Sequence, residues 1–342
     1  MSGTLHVTSA GPSITIQDQG RLGYLSQGLN KSGVADTTAL FEGAALLGQS
    51  SELAALEMVG MGGTFHSDTD SRIALTGAPM SASIDGTPLT WNASHALPAG
   101  AKLVIGGARV GTYGYLHVGG GIDGPVRMGS RATHISAGLG AAIALGDALP
   151  IGKDKSQTTG NALPQEERFD GGQIRVVASM QTDLFEQDVR DRFNQTQFRR
   201  DPRANRMGVR MDSDEGGFFA NDQLNILSEI IVPGDIQITG DGTPYVLMCE
   251  CGTTGGYPRI GTVIPCDLNR VAQAPAGATL CFSFVSHREA EAAERQASTE
   301  RKMLAQRIYP LVRDPHTMRD LLRYQLVSGA ISATADPFAE EN

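Results

Sequence analysis

The sequence is poor in the residues that staple a fold, span a bilayer or grip nucleic acid. Its four cysteines, Cys249, Cys251, Cys266 and Cys281, lie late in the chain in apolar, strand-like surroundings. No second close pair of Cys or His completes a zinc set, so these read as free thiols, with no metal. Free thiols suit a reducing compartment. No apolar run reaches the roughly 18 residues needed to span a membrane. Met1 to His6 lacks the basic and apolar regions of a signal peptide, so a soluble cytoplasmic protein is expected. Charged residues make up only 19% of the chain, net charge is −9 and there is no basic run, which argues against nucleic acid as a partner. An anionic small molecule stays compatible, through individual arginines.

Familiar catalytic signatures are also missing. There is no G-x-S-x-G elbow and no H-E-x-x-H pair. Gly119 to Gly124 has the spacing of a dinucleotide fingerprint, but Pro125-Val126-Arg127 follows instead of a helical period. Gly146 to Lys153 has the wrong spacing for a phosphate loop, and Asp154 stands where Ser or Thr is needed. The seven histidines are scattered and read as ordinary polar or packed residues.

What the chain has in quantity is glycine, 42 residues of it, between short apolar runs. Ser13-Ile14-Thr15-Ile16, Ile73-Ala74-Leu75-Thr76 and Lys102-Leu103-Val104-Ile105 have the look of strands. Short strands with turn residues at this density imply a mainly β barrel or sandwich, not a doubly wound fold. A chain of 342 residues is long for one core. The expected division is a first β domain over 1–150, a linker over 151–171, a second β domain over 172–286 and a helical tail over 287–342. Asp36 is an N-cap for a helix with Leu40, Ala44 and Leu47 on one stripe, closed by Gly48. A second helix carries Phe185, Val189 and Phe193. In the tail, helices are expected over 289–308 and 315–327.

The two halves echo each other in order. Asp85-Gly86-Thr87-Pro88 returns as Asp241-Gly242-Thr243-Pro244, and Pro98-Ala99-Gly100-Ala101 as Pro275-Ala276-Gly277-Ala278. This points to an internal duplication. The second copy is longer between these marks, and the excess includes Thr253-Thr254-Gly255-Gly256-Tyr257-Pro258. Two glycines there permit close approach of another group, and hydroxyls surround them. Other polar residues gather at glycine turns. Asp18 and Arg21 form either a bracing charge pair or an anion clamp, with Gln17 beside them. Arg131 is a second clamp candidate. Arg206 and Arg210 share a strand face if that stretch is extended. Glu57, inside an apolar strand, needs a partner or a shifted pKa if buried.

Taken together these stretches resemble the allophanate hydrolase subunit 2 family. The resemblance is carried by Gln17-Asp18-x-Gly20-Arg21, Ser32-Gly33-x-Ala35-Asp36, Gly129-Ser130-Arg131-x-Thr133, Arg206-Met207-Gly208, Val232-Pro233-Gly234-x-Ile236-Gln237 and Thr253 to Pro258. It runs from about Gly11 to Phe284. Glu250, Gly252 and His117 depart from the family pattern. The resemblance implies tandem cyclophilin-like β-barrels. It implies a hydrolase subunit of the 5-oxoprolinase type, acting on 5-oxoproline with ATP, a subunit 1-type partner and a lactam-utilisation-type subunit. The alternatives are carboxyl transfer in a urea carboxylase-like system, with biotin on another chain, or a regulatory binding subunit. Asp18, Arg21, Arg131 and Tyr257 are the candidate catalytic residues. Gln17, Arg206, Arg210, Thr253, Thr254, Gly255 and Gly256 are the candidate substrate contacts. Thr253, Thr254 and Tyr257 are expected to line a cleft between the domains, with Arg21 or Arg131 facing them.

Overall fold

A computed structural model of the chain describes residues 3–221 and 226–312. The fold is mainly β, with helices α1 (Thr37–Leu47), α2 (Gln187–Gln195), α3 (Pro265–Gln273) and α4 (His287–Met303). In the first half a six-stranded sheet and a seven-stranded one, the latter extended at its edge by Asn161–Ala162 and Tyr309–Pro310, enclose a core that includes Leu5, Phe65, Leu75 and Leu116. In the second half seven strands close into a barrel. Closure is made by Thr279–Phe284, which pairs in parallel with Gly172–Val177 and antiparallel with Gln197–Arg200. A closed barrel leaves no strand edge unpaired.

The barrel is filled by aromatics. Phe193 of α2 sits 5.2 to 5.5 Å from the rings of Phe198, Phe218 and Phe282. The stripe expected from Phe185, Val189 and Phe193 is therefore real, although the segment splits into a short 3-10 turn at Thr182–Leu184 and then α2. Removing a ring as buried as Phe193 to alanine would cost on the order of 3–5 kcal/mol.

α1 forms where its caps dictate. The Asp36 carboxylate accepts from the Ala39 amide at 3.1 Å, and Gly48 ends the helix at a φ of 61°. Gly43 lies against the His117 ring, where a Cβ would overlap it. Val34, Ala35, Ala39 and Leu40 join the same buried cluster as the barrel core, so α1 cements the two halves together.

Both echoed turns exist. Asp85-Gly86 and Asp241-Gly242 each lie in a turn between antiparallel strands. Pro98 and Pro275 each accept from the amide three residues on, at 3.1 and 3.0 Å. The strands that follow are paired differently. Leu103–Ala108 lies beside Met80–Ile84, the strand that enters the first Asp-Gly turn. Thr279–Phe284 lies instead beside Gly172–Val177 and Gln197–Arg200.

The segment between the halves is anchored. Asn161–Ala162 pairs with Ala93 on one side and with Tyr309–Pro310 on the other. Leu163, Arg168 and Phe169 are buried. Arg168 donates to Asp36 at 2.9 Å and to both Glu42 oxygens at 3.0 and 2.7 Å. The first tail helix is present as α4, opened by a capping box between Ser286 and Glu289. Beyond it Leu304 packs with Leu46, Leu47 and Leu163, so this part of the tail is fastened to the first half. The helix expected over 315–327 lies outside the described residues.

Candidate active site

Alternation along three barrel strands builds one polar face. On Gly208–Asp212, Val209 and Met211 point into the core, which turns Gly208 and Arg210 outward. Ile236 and Ile238 point inward, so Gln237 is outward, and Val246 does the same for Tyr245 and Leu247. The strand register places Arg210, Tyr245 and Gln237 in one row. Above them runs the loop from Cys251 to Tyr257, held by pairing of Thr254–Gly255 with Glu229–Ile230. Together they enclose a concavity of about 530 Å³, lined also by Met207, Ile231, Thr254, Gly255, Gly256 and Tyr257.

The charges at this face are already paired. Arg210 lies 2.7 Å from Asp212, donates to the Tyr245 hydroxyl at 3.4 Å and is 3.7 Å from Asp201. Arg203 is held by Asp201 at 2.6 Å. What is left for a ligand is neutral. Tyr257 is half exposed at the rim. The Gln237 side chain is only 7% exposed, and its Nε2 has no partner among the described residues.

A second polar group of residues lies buried between the halves. Arg206 donates to Glu57 and, at 2.6 Å, to each of Glu250 and the Gly33 carbonyl. Glu57 also accepts from the Ala35 amide at 2.8 Å and the Tyr115 hydroxyl at 2.7 Å. Burial opposes the charge on Arg206, but the carboxylates of Glu57 and Glu250 outweigh it, so its pKa stays well above the usual arginine value. Burial pushes the neighbouring thiols of Cys249 and Cys251 up to about 12, so both stay protonated. His134 lies 3.0 Å from Asn30 Oδ1, 3.1 Å from Ser136 Oγ and 3.8 Å from Glu250. Burial lowers its pKa, with Glu250 pulling the other way. Asn30 in turn donates to the Cys251 carbonyl.

The structure separates residues that the sequence placed together. Thr254, Gly255, Gly256 and Tyr257 line the concavity, while the Thr253 carbonyl is tied to the Ile231 amide at 3.1 Å. The concavity is built from the second half alone. A cavity of about 330 Å³ does lie between the halves, lined by Ser32, Thr37, Phe41, Met248 and Cys249, and the Thr-Thr-Gly-Gly loop takes no part in it. Arg131 is on neither surface. It is paired with Asp123, donates to the Gly124 carbonyl at 3.1 Å and lines a cavity of about 220 Å³ in the first half.

Asp18 does not brace Arg21 by a direct bond. Its carboxylate accepts from the Gly20 amide at 2.8 Å, and from the Ser130 hydroxyl and Arg131 amide at 2.6 Å. Arg21 is 2% exposed and donates to the Ala132 carbonyl, leaving Nε and Nη1 without partners among the described residues. Burial lowers its pKa, against Asp18 and Glu250. Gln17 is buried and donates to Thr15 and the Thr133 carbonyl. Arg206 and Arg210 do not share a face, because Arg206 precedes the strand and turns into the interface between the halves.

Sequence reasoning passed over Asn30 and His134, and it quoted Gln237 only as the end of a family motif, with no role at the site. Gln237 carried a signal, being the outward member of an Ile-Gln-Ile alternation. Among the described residues no cluster of three or more His, Cys, Asp or Glu is placed to hold a metal, and no helix is long and apolar enough to cross a membrane.

Comparison with known proteins gives this geometry its context. A family model described as carboxyltransferase domain, subdomain A and B, matches residues 27–284. The C-type subunit of 5-oxoprolinase from Escherichia coli is 32% identical, over 89% of this chain and 99% of that protein. The protein of the same name from Haemophilus influenzae is 30% identical over 82% of this chain. The urea amidolyase of Lachancea kluyveri is 26% identical over 83% of this chain, which spans 17% of that protein. The crystal structure of TTHA0988 is similar with a TM-score of 0.75 and 26% identity, covering 82% of this chain, which spans 56% of the solved one.

Proposed function

The chain belongs to the carboxyltransferase subdomain A and B family, and on that premise we propose that it is the C-type subunit of an ATP-dependent 5-oxoprolinase complex. In this reading the complex opens the lactam of 5-oxoproline to glutamate, with ATP and water giving ADP and phosphate. The observation that carries the reading is end-to-end similarity to the C-type 5-oxoprolinase subunit of Escherichia coli, of which the chain covers 99%, against 17% of the urea amidolyase.

The concavity suits a small amide. Its walls offer apolar area from Met207, Ile231 and Leu247 and neutral polar groups from Gln237 and Tyr257. An amide carbonyl is a poor electrophile, so phosphorylation of its oxygen is the use assigned to ATP. Neutral donors aimed at that oxygen stabilise the charge that develops there. The concavity is open on one side. A subunit 1-type partner is assigned to close it, and the assembly is completed by a lactam-utilisation-type subunit.

A second reading is carboxyl transfer to a urea-like nitrogen, with biotin carried on another chain. It is favoured by the family's description and by the urea amidolyase relative. The test is reconstitution of this chain with its partners. Release of glutamate and ADP from 5-oxoproline, only when partners are present and without biotin, supports the first reading. Dependence on a biotinylated carrier and bicarbonate supports the second and overturns the first. Tight partner binding without turnover of either substrate would make the chain a regulatory subunit.

A further inference from the structure

We propose that Gln237 reads the amide group of the substrate, its carboxamide pairing with the carbonyl and the N–H of a lactam held in the concavity of the second barrel. This rests on the functional reading above and adds to it a residue and a mode of recognition.

Three observations converge on Gln237. The first is an unmet hydrogen-bonding group. The side chain points out of the barrel wall, yet the loop above leaves it only 7% exposed, and Nε2 has no partner among the described residues. Buried polar atoms are nearly always satisfied, so an unsatisfied one in a side chain that lines a cavity calls for a ligand. The second is space. A Cβ on residue 255 would overlap Gln237 Nε2. Gly255 is not in the left-handed region, so its backbone conformation does not require glycine. The glycine leaves room for the amide to sit where it does, against the loop. The third is the surroundings. The nearby arginines, Arg203 and Arg210, are engaged by Asp201 and Asp212, while Ile231 and Leu247 provide an apolar wall for ring methylenes.

The chemistry then selects the ligand. A lactam ring forces its amide to be cis, so C=O and N–H lie on the same side. A carboxamide presents a donor and an acceptor at the same spacing, and the two groups close a pair of hydrogen bonds. An arginine would answer the carbonyl alone, and a carboxylate the N–H alone.

The experiment uses the reconstituted complex with Gln237→Met, which keeps volume and loses both hydrogen bonds, and with Gly255→Ala, which displaces the amide without removing it. Turnover of 5-oxoproline and its direct binding by calorimetry are both measured, with thermal melts to confirm folding. Gln237→Met should raise KM and Kd for 5-oxoproline roughly tenfold or more, with a smaller change in kcat, and Gly255→Ala should do the same to a lesser degree. Values within twofold of wild type for both folded variants would overturn the proposal. If the wild-type complex instead consumes urea with a biotinylated carrier, the functional reading falls on its own. The same variants assayed on urea, which also presents C=O and N–H together, then decide the role of Gln237 by the same criterion. If the wild-type complex neither binds nor turns over either amide, the proposal is overturned with the reading.

Discussion

Two polar regions of this molecule are built from the same kinds of residue and differ in how completely they are partnered. Between the halves, Arg206, Glu57 and Glu250 satisfy one another and nearby backbone groups with almost no water contact. On the outer face of the barrel, Gln237 keeps a donor unmet among the described residues, beside a concavity of about 530 Å³. The difference teaches where to look for chemistry. A saturated network has no capacity left for a ligand and holds the halves in register, whereas an unsaturated group beside open space waits for one. Arg21, buried with two donors unmet among the described residues but outside the concavity, falls between the two cases.

The strongest test of the comparison is to break the saturated region. Arg206→Leu would leave Glu57 and Glu250 buried without their cation. Breaking a buried pair from one side typically costs about 3–5 kcal/mol. The expected result is a thermal midpoint lower by about 4–7 °C in the isolated chain. A shift under about 2 °C would show that the network is not what fixes the two halves.

Acid should strike buried packing before it strikes the open face. His117 donates from Nε2 to Thr76, since the Thr76 hydroxyl spends its own hydrogen on the Ala39 carbonyl. Burial drives its pKa down to about 3. The folded state therefore holds His117 neutral while the unfolded chain takes up a proton below about pH 6.5. The contribution is full above that pH and is lost as pH falls toward 3, at up to about 1.4 kcal/mol per pH unit. Urea denaturation of wild type and His117→Gln from about pH 7 to about pH 4.5, inside that window, checks this. The variant should show a flatter slope, and equal slopes would remove His117 from the account.

The unsaturated side predicts the opposite pattern. Tyr257→Phe removes a hydroxyl from a half-exposed ring at the rim of the concavity, so the melting midpoint should move by less than about 2 °C. Turnover by the reconstituted complex should fall by roughly three- to tenfold, as expected for one lost hydrogen bond to substrate. A large loss of stability with unchanged turnover would put Tyr257 with the saturated group.

Much of the fold was legible because it depends on local patterns. The cap at Asp36, the stop at Gly48, the Asp-Gly turns and the helix after Ser286 follow from residue chemistry within a few positions. The outward setting of Gln237 was also legible, from Ile236 and Ile238. Its burial was not, because the covering loop arrives from Cys251 to Tyr257. Glu57 announced that it needed a partner, but the partner, Arg206, lies in the other half of the chain. Alternation gives the face a side chain occupies and says nothing of what another segment brings against it. That is why Arg206 was expected beside Arg210 and is found at the interface instead.

The smallest effect is expected at Arg131, and the reason is geometric. The sequence offered it as a forked anion clamp facing the Thr-Thr-Gly-Gly loop. Its fork is spent on Asp123 and on the Gly124 carbonyl, within the first half. Its amide, not its side chain, is the group that binds Asp18. Arg131→Lys keeps the amide and the charge and loses the second donor arm. The ion pair is partly open to water, with Asp123 more than half exposed, so its loss is worth about 1 kcal/mol or less. The concavity is untouched, so KM and kcat of the reconstituted complex should stay within about twofold of wild type. A tenfold rise in KM with a normal melting curve would mean that the cavity around Arg131 takes part in the reaction. The first half, rather than the barrel face alone, would then have to be counted as part of the site.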